Sequence, residues 1–225
     1  MKRNKNLLVV AAHPDDEVLG CGATMAKYSA QGKKIFVIYM TNGVSARNKY
    51  TLKEIENRKK AAIKSCKILG AKPIFFDFED NKMDKYPLLD IVKKIEVIIN
   101  KIKPEIVFTH YNNDLNIDHE ITARATLTAC RPLKKSFVKK LFMFDVPSST
   151  EWTPKKKERF SPNYYEAVNR FVKKKIKALE AYKMELRKWP HPRSKKNVIM
   201  KLNTYGAESG NENSEAFILY RQINL

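Results

Sequence analysis

Unbroken apolar runs alternate with amphipathic stretches along the first two thirds of this chain. Runs rich in Val, Ile and Phe are typical of strands buried on both faces of a parallel sheet. They predict strands just after Asn6 and at residues 34–40, 73–78, 105–109 and 140–146. Apolar positions at helical spacing predict helices over residues 18–31, 52–69, 87–102 and 119–130. The alternation predicts parallel strands joined by right-handed crossovers, in a doubly wound, Rossmann-like α/β sheet flanked by helices.

The pattern changes after residue 146. Residues 147–163 combine Pro, Ser and Thr with a basic run, which indicates a long surface loop. Residues 164–187 predict a helix, another follows Pro192 to about residue 205, and residues 216–220 predict a final strand. No internal repeat and no convincing linker divides the chain. We therefore expect one domain over residues 1–225, with a core to about residue 146 and a substrate-side loop and helical extension over about 147–225.

A strong positive charge is the unusual feature of the composition. The 225 residues carry a formal net charge of +20 and are 43% hydrophobic, so the chain can bury a large core. This charge is compatible with nucleic acid, an anionic membrane surface or an anionic substrate. The lysines cluster within predicted helices, which is typical of solvated helix faces. The sequence shows no helix with clustered base-reading residues, so we expect no specific nucleic-acid binding, while peripheral membrane contact stays open.

Cysteine content and hydropathy bear on location. Cys21, Cys66 and Cys130 are odd in number and far apart, which indicates neither a disulfide framework nor a thiolate zinc cluster. The basic first residues resemble a signal peptide, but the apolar core is too short and runs directly into polar residues. No stretch approaches the roughly 20 apolar residues of a membrane span. We expect a cytoplasmic protein without a transmembrane segment, and a homo-oligomer stays open.

Candidate chemistry begins where the first predicted strand ends, at His13-Pro14-Asp15-Asp16-Glu17. Imidazole and carboxylate at this spacing suit zinc or a similar divalent ion, and a spare carboxylate could handle protons. In doubly wound sheets, ligands bind beyond the carboxyl ends of the strands. The sequence therefore predicts half of a metal site at this edge.

The other half is expected in residues 110–119, which follow a buried strand and open a helix at the same edge. His119 with His13 and Asp16 would give a set of two histidines and one carboxylate with open positions for water and substrate. Asp118 could orient a ligand imidazole. Taken alone, each residue has a structural alternative, such as a helix cap for Asp118 or a satisfied strand-end histidine for His110. Two clusters at one edge favour the metal site.

These motifs resemble the PIG-L, or LmbE-like, zinc-dependent N-deacetylases, in particular the bacterial branch associated with amino-sugar and cell-surface polysaccharide pathways. Residues 12–17 match the first motif of the family, and Asp118-His119 matches the end of its second. Further similarity extends through most of the chain, at residues 41–44, 80–84, 147–152, 191–194 and 214–217. The resemblance implies Zn²⁺, or another divalent metal, held by His13, Asp16 and His119, with Asp15 as general base. We interpret Glu17 as a helix cap or an anchor for a neighbour.

The chain departs from the family at one position. Many members have a histidine three residues before the second metal histidine, where it is implied to stabilise the tetrahedral oxyanion. Asn116 stands there in this chain. An asparagine amide can donate a hydrogen bond to an oxyanion, but it cannot act as a protonated acid. His110 and His191 are the other candidates for that function.

Further polar residues at the predicted strand ends are candidates for binding the substrate. Arginines suit a phosphate or carboxylate, with a surface ion pair as the alternative. Acids could accept hydrogen bonds from sugar hydroxyls, and a tryptophan could stack on a pyranose ring or simply pack. The candidate set is Arg47, Arg58, Asp84, His110, Glu151, Trp152, His191 and Arg193.

Motifs and resemblance together predict a zinc-dependent hydrolase that removes the N-acetyl group from an amino sugar of the N-acetylglucosamine type, or from its phosphate-, nucleotide- or lipid-linked conjugate. The products would be a free amine and acetate, and the pathway polysaccharide or glycoconjugate biosynthesis. One alternative is another metal-dependent amide hydrolase, which differs only in the acyl group. A basic nucleic-acid-binding protein is the alternative from a different class. A catalytically silent scaffold is a third, and the intact set of Asp15 and ligands argues against it.

Overall fold

A computed structural model describes residues 6–133, 136–154 and 158–224. The basic first residues and the lysines of the run at 155–157 lie outside these ranges. The strands are β1 (Asn6–Ala11), β2 (Lys34–Thr41), β3 (Ala71–Phe78), β4 (Ile106–His110), β5 (Lys140–Phe144), β6 (Tyr164–Ala167) and β7 (Ser214–Gln222). The α-helices are α1 (Asp16–Ala30), α2 (Leu52–Leu69), α3 (Leu88–Ile102), α4 (Ile117–Ala129), α5 (Val172–Leu179) and α6 (Lys195–Glu208). Short 3₁₀ turns lie at Met83–Lys85, Thr150–Trp152, Asn169–Phe171 and Glu180–Tyr182.

The strands form one sheet in the order β3-β2-β1-β4-β5-β7-β6. β1 to β5 pair in parallel, whereas β7 pairs antiparallel with β5 and β6 antiparallel with β7. The predicted mostly parallel, doubly wound α/β fold is therefore confirmed. β1 lies between β2 and β4, so the strand order reverses beside it. Such a reversal opens a crevice at the carboxyl ends of the strands, where sheets of this kind bind ligands.

Side chains of β1 alternate between two hydrophobic cores. Leu7 and Val9 pack on the face covered by α1, α2 and α5, and Leu8 and Val10 on the face covered by α3 and α4. All four side chains are fully buried. Burial on both faces explains why this strand reads as an unbroken apolar run, and it fixes the end of β1 from which the first polar motif projects.

Helix α1 lies close to the sheet and is broken in its middle. At Gly20, a Cβ atom would overlap the Phe144 ring of β5, so glycine permits the close approach. Cys21 then departs from helical geometry, with φ −140° and ψ 22°. A break of this kind leaves main-chain amides and carbonyls without their usual partners inside the helix.

Two buried charged side chains bind the main chain at this break. Glu215 in β7 accepts hydrogen bonds from the backbone N–H of Ala23 (2.9 Å) and Thr24 (2.7 Å). Lys175 in α5 donates to the carbonyl of Leu19 (2.7 Å) and to Glu215 (2.6 Å). We call Lys175, Glu215 and the α1 main chain at Leu19, Ala23 and Thr24 the kink cluster. It ties the first helix to the last strand.

The helix predicted over residues 164–187 is wrong at its start. Tyr164–Ala167 forms β6, and the α-helix is limited to Val172–Leu179. These four residues form a strand because they pair with β7. In this strand Glu166 points inward and accepts a hydrogen bond from the Tyr28 hydroxyl at 2.8 Å. The helix predicted after Pro192 and the final strand are confirmed as α6 and β7. None of the helices in the described ranges is both long enough and apolar enough to cross a bilayer.

Candidate metal centre and its surroundings

A sharp turn from β1 into α1 places the first motif. Asp15 adopts φ +116° and ψ −21° at this turn, a left-handed conformation that is uncommon for a residue other than glycine. The turn brings the Asp16 carboxylate back under the preceding residues, where Oδ2 accepts the His13 backbone N–H at 2.7 Å. The second motif enters from α4, whose cap is Asn116, with Oδ1 accepting the Asp118 N–H at 2.9 Å. His119 lies in the first turn of that helix.

Three donor atoms from these motifs meet in a triangle. His13 Nδ1 lies 3.2 Å from Asp16 Oδ2 and 3.2 Å from His119 Nε2, and the third side measures 3.4 Å. All three side chains are buried. Four ligands arranged tetrahedrally around zinc at about 2.0–2.1 Å would be about 3.3–3.4 Å apart. Donor types and spacing therefore fit a zinc ion or a similar divalent cation. We call these three atoms the metal triangle.

Two carboxylates hold the opposite side of the His13 ring. Nε2 lies 3.1 Å from Asp80 Oδ1 and 3.2 Å from Asp118 Oδ2. Asp118 also accepts the backbone N–H of Asn81 (2.7 Å) and Met83 (3.1 Å). The three side chains form a second group of metal-type donors. A proton on Nε2 between these oxygens leaves the lone pair on Nδ1 facing the metal triangle, which is the usual arrangement behind a ligand histidine.

The His119 ring also has a carboxylate behind it. His119 Nδ1 lies 3.2 Å from Asp114 Oδ1. The Asp114 carboxylate is itself held by hydroxyl groups, from Ser149 at Oδ1 and from Thr150 at Oδ2 (2.5 Å). The loop that follows β5 is thereby tied to the metal triangle.

The charges around the triangle favour a cation. Although burial lowers the pKa of His13, hydrogen bonds to Asp118, Asp16 and Asp80 raise it well above its usual value. Burial likewise opposes, but Asp16 and Asp114 raise the pKa of His119 to about 9. The pKa of Asp16 lies well below its usual value, because His119 and His13 outweigh the effect of burial. The shifts all favour positive charge at the triangle, and a metal cation would compete with protons for the same atoms.

Asp15 projects beside the triangle between two arginines. Its Oδ1 lies 3.1 Å from Arg58 Nη2, and its Oδ2 lies 3.3 Å from Arg193 Nη1. Glu185 holds the arginines from behind, 2.5 Å from Arg58 Nη1 and 3.7 Å from Arg193 Nη1. Arg47 joins the same carboxylate at 2.7 Å. The structure thus gathers all three predicted arginines around the Asp15 and Glu185 carboxylates, two of them in direct contact with Asp15.

Glu17 points away from the triangle into the core and is fully buried. Its Oε2 accepts the backbone N–H of Asp15 at 3.0 Å. Its Oε1 accepts the hydroxyl groups of Ser65 (2.9 Å) and Tyr182 (2.8 Å). Burial raises the pKa of Glu17 to about 7, against these hydrogen bonds, which lower it. The expectation that Glu17 anchors a neighbour agrees with this geometry.

The remaining outer candidates lie on the loop after β5 and before α6. Glu151 accepts the backbone N–H of Ser148 at 2.8 Å and so stabilises its own loop. Trp152 is 52% exposed, and its ring lies edge-on to that of His191, with centroids 6.3 Å apart. His191 Nδ1 accepts the backbone N–H of Arg193 at 3.0 Å. Arg193 connects His191 to Asp15, because its guanidinium group contacts the Asp15 carboxylate.

One predicted substrate-binding residue, His110, requires correction, and another, Asp84, stays a prediction. His110 is fully buried and its Nε2 accepts the Ala12 N–H at 2.8 Å, so it supports the end of β1 and is closed to substrate. Its ring stacks on the His119 ring at 4.0 Å. Asp84 is exposed on the 3₁₀ turn, and within the described ranges no hydrogen bond or ion pair joins it to the site. Asp80, four residues earlier, takes the place beside His13.

Sequence reasoning missed Asp80, Asp114 and Glu185 as parts of the site. Asp80 and Asp114 lie in segments that the sequence already placed at the sheet edge, so their position was a usable signal. Glu185 offers no local signal. It comes from beyond α5, about 130 residues along the chain from the arginine pair Arg47 and Arg58, and only tertiary packing brings it near.

Fold and family match together define an α/β enzyme of the amidohydrolase class. The chain belongs to the PIG-L family, described as GlcNAc-PI de-N-acetylase, which it matches over residues 8–130. The predicted resemblance is therefore confirmed.

Two deacetylases and one hydratase illustrate what the chain is similar to. The uncharacterized deacetylase YaiS of Escherichia coli is 29% identical over 188 residues, which cover 80% of this chain and 92% of the relative. The N,N'-diacetylchitobiose deacetylase of Pyrococcus horikoshii has a similar structure, with a TM-score of 0.78 and 20% identity over 96% of this chain and 84% of its own. The hydratase GalB of Pseudomonas putida shares the fold, with a TM-score of 0.79 and 20% identity over 98% of each chain.

Proposed function

We propose that this protein is a zinc-dependent hydrolase that removes the acetyl group from an N-acetylated amino sugar of the N-acetylglucosamine type, or from a conjugate of it. The observation that carries the proposal is the metal triangle of His13, Asp16 and His119 with the Asp15 carboxylate beside it. Membership of a de-N-acetylase family supports the acetyl group and the amino sugar.

The metal triangle would hold the zinc ion, and Asp80, Asp118 and Asp114 would keep the two imidazoles in place. When bound, zinc supplies Lewis-acid polarisation of the amide carbonyl and acidifies water at neutral pH. Asp15 takes the proton from the attacking water as the new C–O bond forms. The same carboxyl then returns the proton to the nitrogen as the C–N bond breaks, which gives acetate and a free amine.

The arginines and Asn116 complete the proposed chemistry. Arg58 and Arg193 orient the Asp15 carboxylate by contact with one oxygen each, and they are proposed to bind polar groups of the substrate. Asn116 is proposed to donate its amide N–H to the oxyanion, because its Oδ1 is held by the helix cap and this fixes the amide plane. Trp152, exposed beside His191, is proposed to lie against a sugar ring.

A biosynthetic role in the cytoplasm is part of the proposal. The three cysteines, Cys21, Cys66 and Cys130, are free and buried, which suits a reducing compartment. The sugar's attached group, whether phosphate, nucleotide or lipid, is left to experiment.

The test is acetate release from a panel of N-acetyl sugars, nucleotide sugars and sugar lipids by zinc-loaded protein. Wild type is expected to exceed Asp15→Ala on at least one substrate, by about 100-fold or more for loss of a general base. Asp90→Ala is the matched control, an exposed aspartate in the first turn of α3 that should leave the rate unchanged. Equal acetate release by wild type and Asp15→Ala on every substrate would overturn the proposal. Addition of water to an unsaturated acid without acetate release would point instead to a hydratase.

A further inference from the structure

The Asp15 turn is strained, and a strained turn needs support. Asp15 holds φ +116° although it is not glycine, a conformation that persists only where the surrounding structure holds it. Its own side chain makes no hydrogen bond to cap α1. The backbone N–H of Asp15 points instead at Glu17 Oε2. A buried carboxylate thus fixes the main chain from which the proposed base projects.

Glu17 is in turn fixed from two other segments. Its Oε1 receives one hydroxyl from Ser65 in α2 and one from Tyr182 in the 3₁₀ turn after α5. Both oxygens are therefore occupied, and the side chain lies in the core behind Asp15, closed to substrate. This position excludes Glu17 as the group that takes a proton from water in the reaction.

Tyr182 reaches Asp15 by a second route. Its ring lies under the Arg58 guanidinium, 5.5 Å from the ring centroid, and Arg58 Nη2 is 3.1 Å from Asp15 Oδ1. One buried tyrosine therefore supports the backbone of Asp15 through Glu17 and its carboxylate through Arg58. The contacts close a ring of four residues.

We infer that Glu17 and Tyr182 are positioning residues, which act through Asp15 by holding its strained turn and aiming its carboxylate. The inference rests on the proposed function, because Asp15 is the base proposed there. It assigns a role in the reaction to a segment beyond α5, far along the chain from the ligand motifs. Misplacement of a reacting group by about 1 Å can cost about 100-fold in rate, so small losses of support should be measurable.

Tyr182→Phe tests the hydroxyl while it keeps the ring under Arg58. We expect kcat to fall between about 10- and 100-fold with KM, bound zinc and melting temperature nearly unchanged. Tyr39→Phe is the matched control. Its hydroxyl is equally buried and lies 3.3 Å from that of Tyr182, but it does not reach Glu17. Equal effects of the two substitutions on kcat would overturn the inference.

Glu17 is tested by a pair of substitutions. Glu17→Gln keeps an acceptor for the Asp15 N–H and an amide for the two hydroxyls, so it should retain most of kcat. Glu17→Leu removes the acceptor and should lose at least as much as Tyr182→Phe. A loss in Glu17→Gln as large as that in Glu17→Leu would contradict a positioning role. If Glu17→Leu does not fold, Tyr182→Phe decides.

Crystal structures separate this inference from the proposed function. In Glu17→Leu, or in Tyr182→Phe if the former does not fold, Asp15 should leave its left-handed conformation or its carboxylate should shift from Arg58. An unchanged Asp15 would refute the positioning role even if the enzyme is active. If Asp15 is displaced in the variant while wild type itself releases no acetate from any substrate, the positioning of Asp15 is supported and the proposed function is refuted.

Discussion

Helix α1 carries a buried charged cluster at each of two places, and the two clusters are built differently. In the kink cluster, donors face acceptors: Lys175 donates to a carbonyl and a carboxylate, and Glu215 accepts from two amides and the ammonium group. In the metal triangle, the three atoms that face one another are all of the types that coordinate a metal ion.

That difference indicates a structural role for the kink cluster and a functional role for the metal triangle. A buried polar cluster that satisfies itself needs nothing further, and it stabilises the backbone that it binds. Metal-type donor atoms that converge within 3.2–3.4 Å need a shared proton or a metal cation between them, so the triangle depends on what it binds. The kink cluster should therefore respond to substitution through stability, and the triangle through metal binding.

The largest effect is expected for His119→Ala, which removes one corner of the triangle. Bound zinc, measured by elemental analysis after dialysis, should be lost, and acetate release should fall by about 1,000-fold or more, since a catalytic metal supplies several kcal/mol. His191→Ala is the control, because this histidine lies outside the triangle. Full zinc content in His119→Ala would show that the triangle is not the metal site.

The second effect is on folding. Lys175→Met leaves Glu215 buried without its partner and should lower the free energy of unfolding by about 3–5 kcal/mol in urea titrations. Zinc per folded chain should not change. Lys195→Met breaks an exposed pair with Glu180 and should cost no more than about 1 kcal/mol. A loss of zinc without a loss of stability in Lys175→Met would show that the kink cluster serves metal binding and not folding.

A smaller effect is expected for Asp114→Asn, which weakens the support behind His119. Loss of such a partner lowers metal affinity by about 10- to 100-fold, which competition with a chelator would measure. Asp145→Asn offers a control, because Asp145 is also a buried carboxylate but pairs with Lys201 and Tyr205. Equal zinc affinity in Asp114→Asn and wild type would argue against this support.

The smallest effect concerns the thiol at the kink. Burial, with Glu215 nearby, raises the pKa of Cys21 well above its usual value. The thiol should therefore stay protonated and resist iodoacetamide at pH 8.5, as mass spectrometry of peptides would show. Because an unfolded thiol ionises near pH 8.5 and the folded one does not, its contribution to stability is present below that pH and lost above it. Labelling of Cys21 in folded wild type at the rate seen in urea would show that the thiol is not protected by its burial at the kink.

The sequence predicted the parts of the molecule that depend on local pattern. β1 and β4 are unbroken apolar runs, and each ends in chemically distinctive residues. Because parallel strands present their carboxyl ends at one edge, His13, Asp16 and His119 were expected together before any contact was known, and the structure brings them together. Asn116 also had a local signal, since asparagine before a helical run is a common cap.

The rest depends on partners that are distant along the chain. Residues 164–167 favour a helix locally, but β7 supplies a strand partner and turns them into β6. Tyr182, Glu185 and Glu215 acquire their roles from residues more than 120 positions away. Their side chains look like ordinary helix or strand residues until the two ends of the chain pack together.

The kink cluster has a consequence for the order in which the chain folds during synthesis on the ribosome. α1 is made early, but Glu215, which holds its broken middle, is made near the end. A nascent chain stalled before β7 would contain all three residues of the metal triangle, but α1, which begins at Asp16, would lack its support. Since a preformed site requires the folded backbone, we expect zinc uptake to follow completion of the last strand rather than accompany translation.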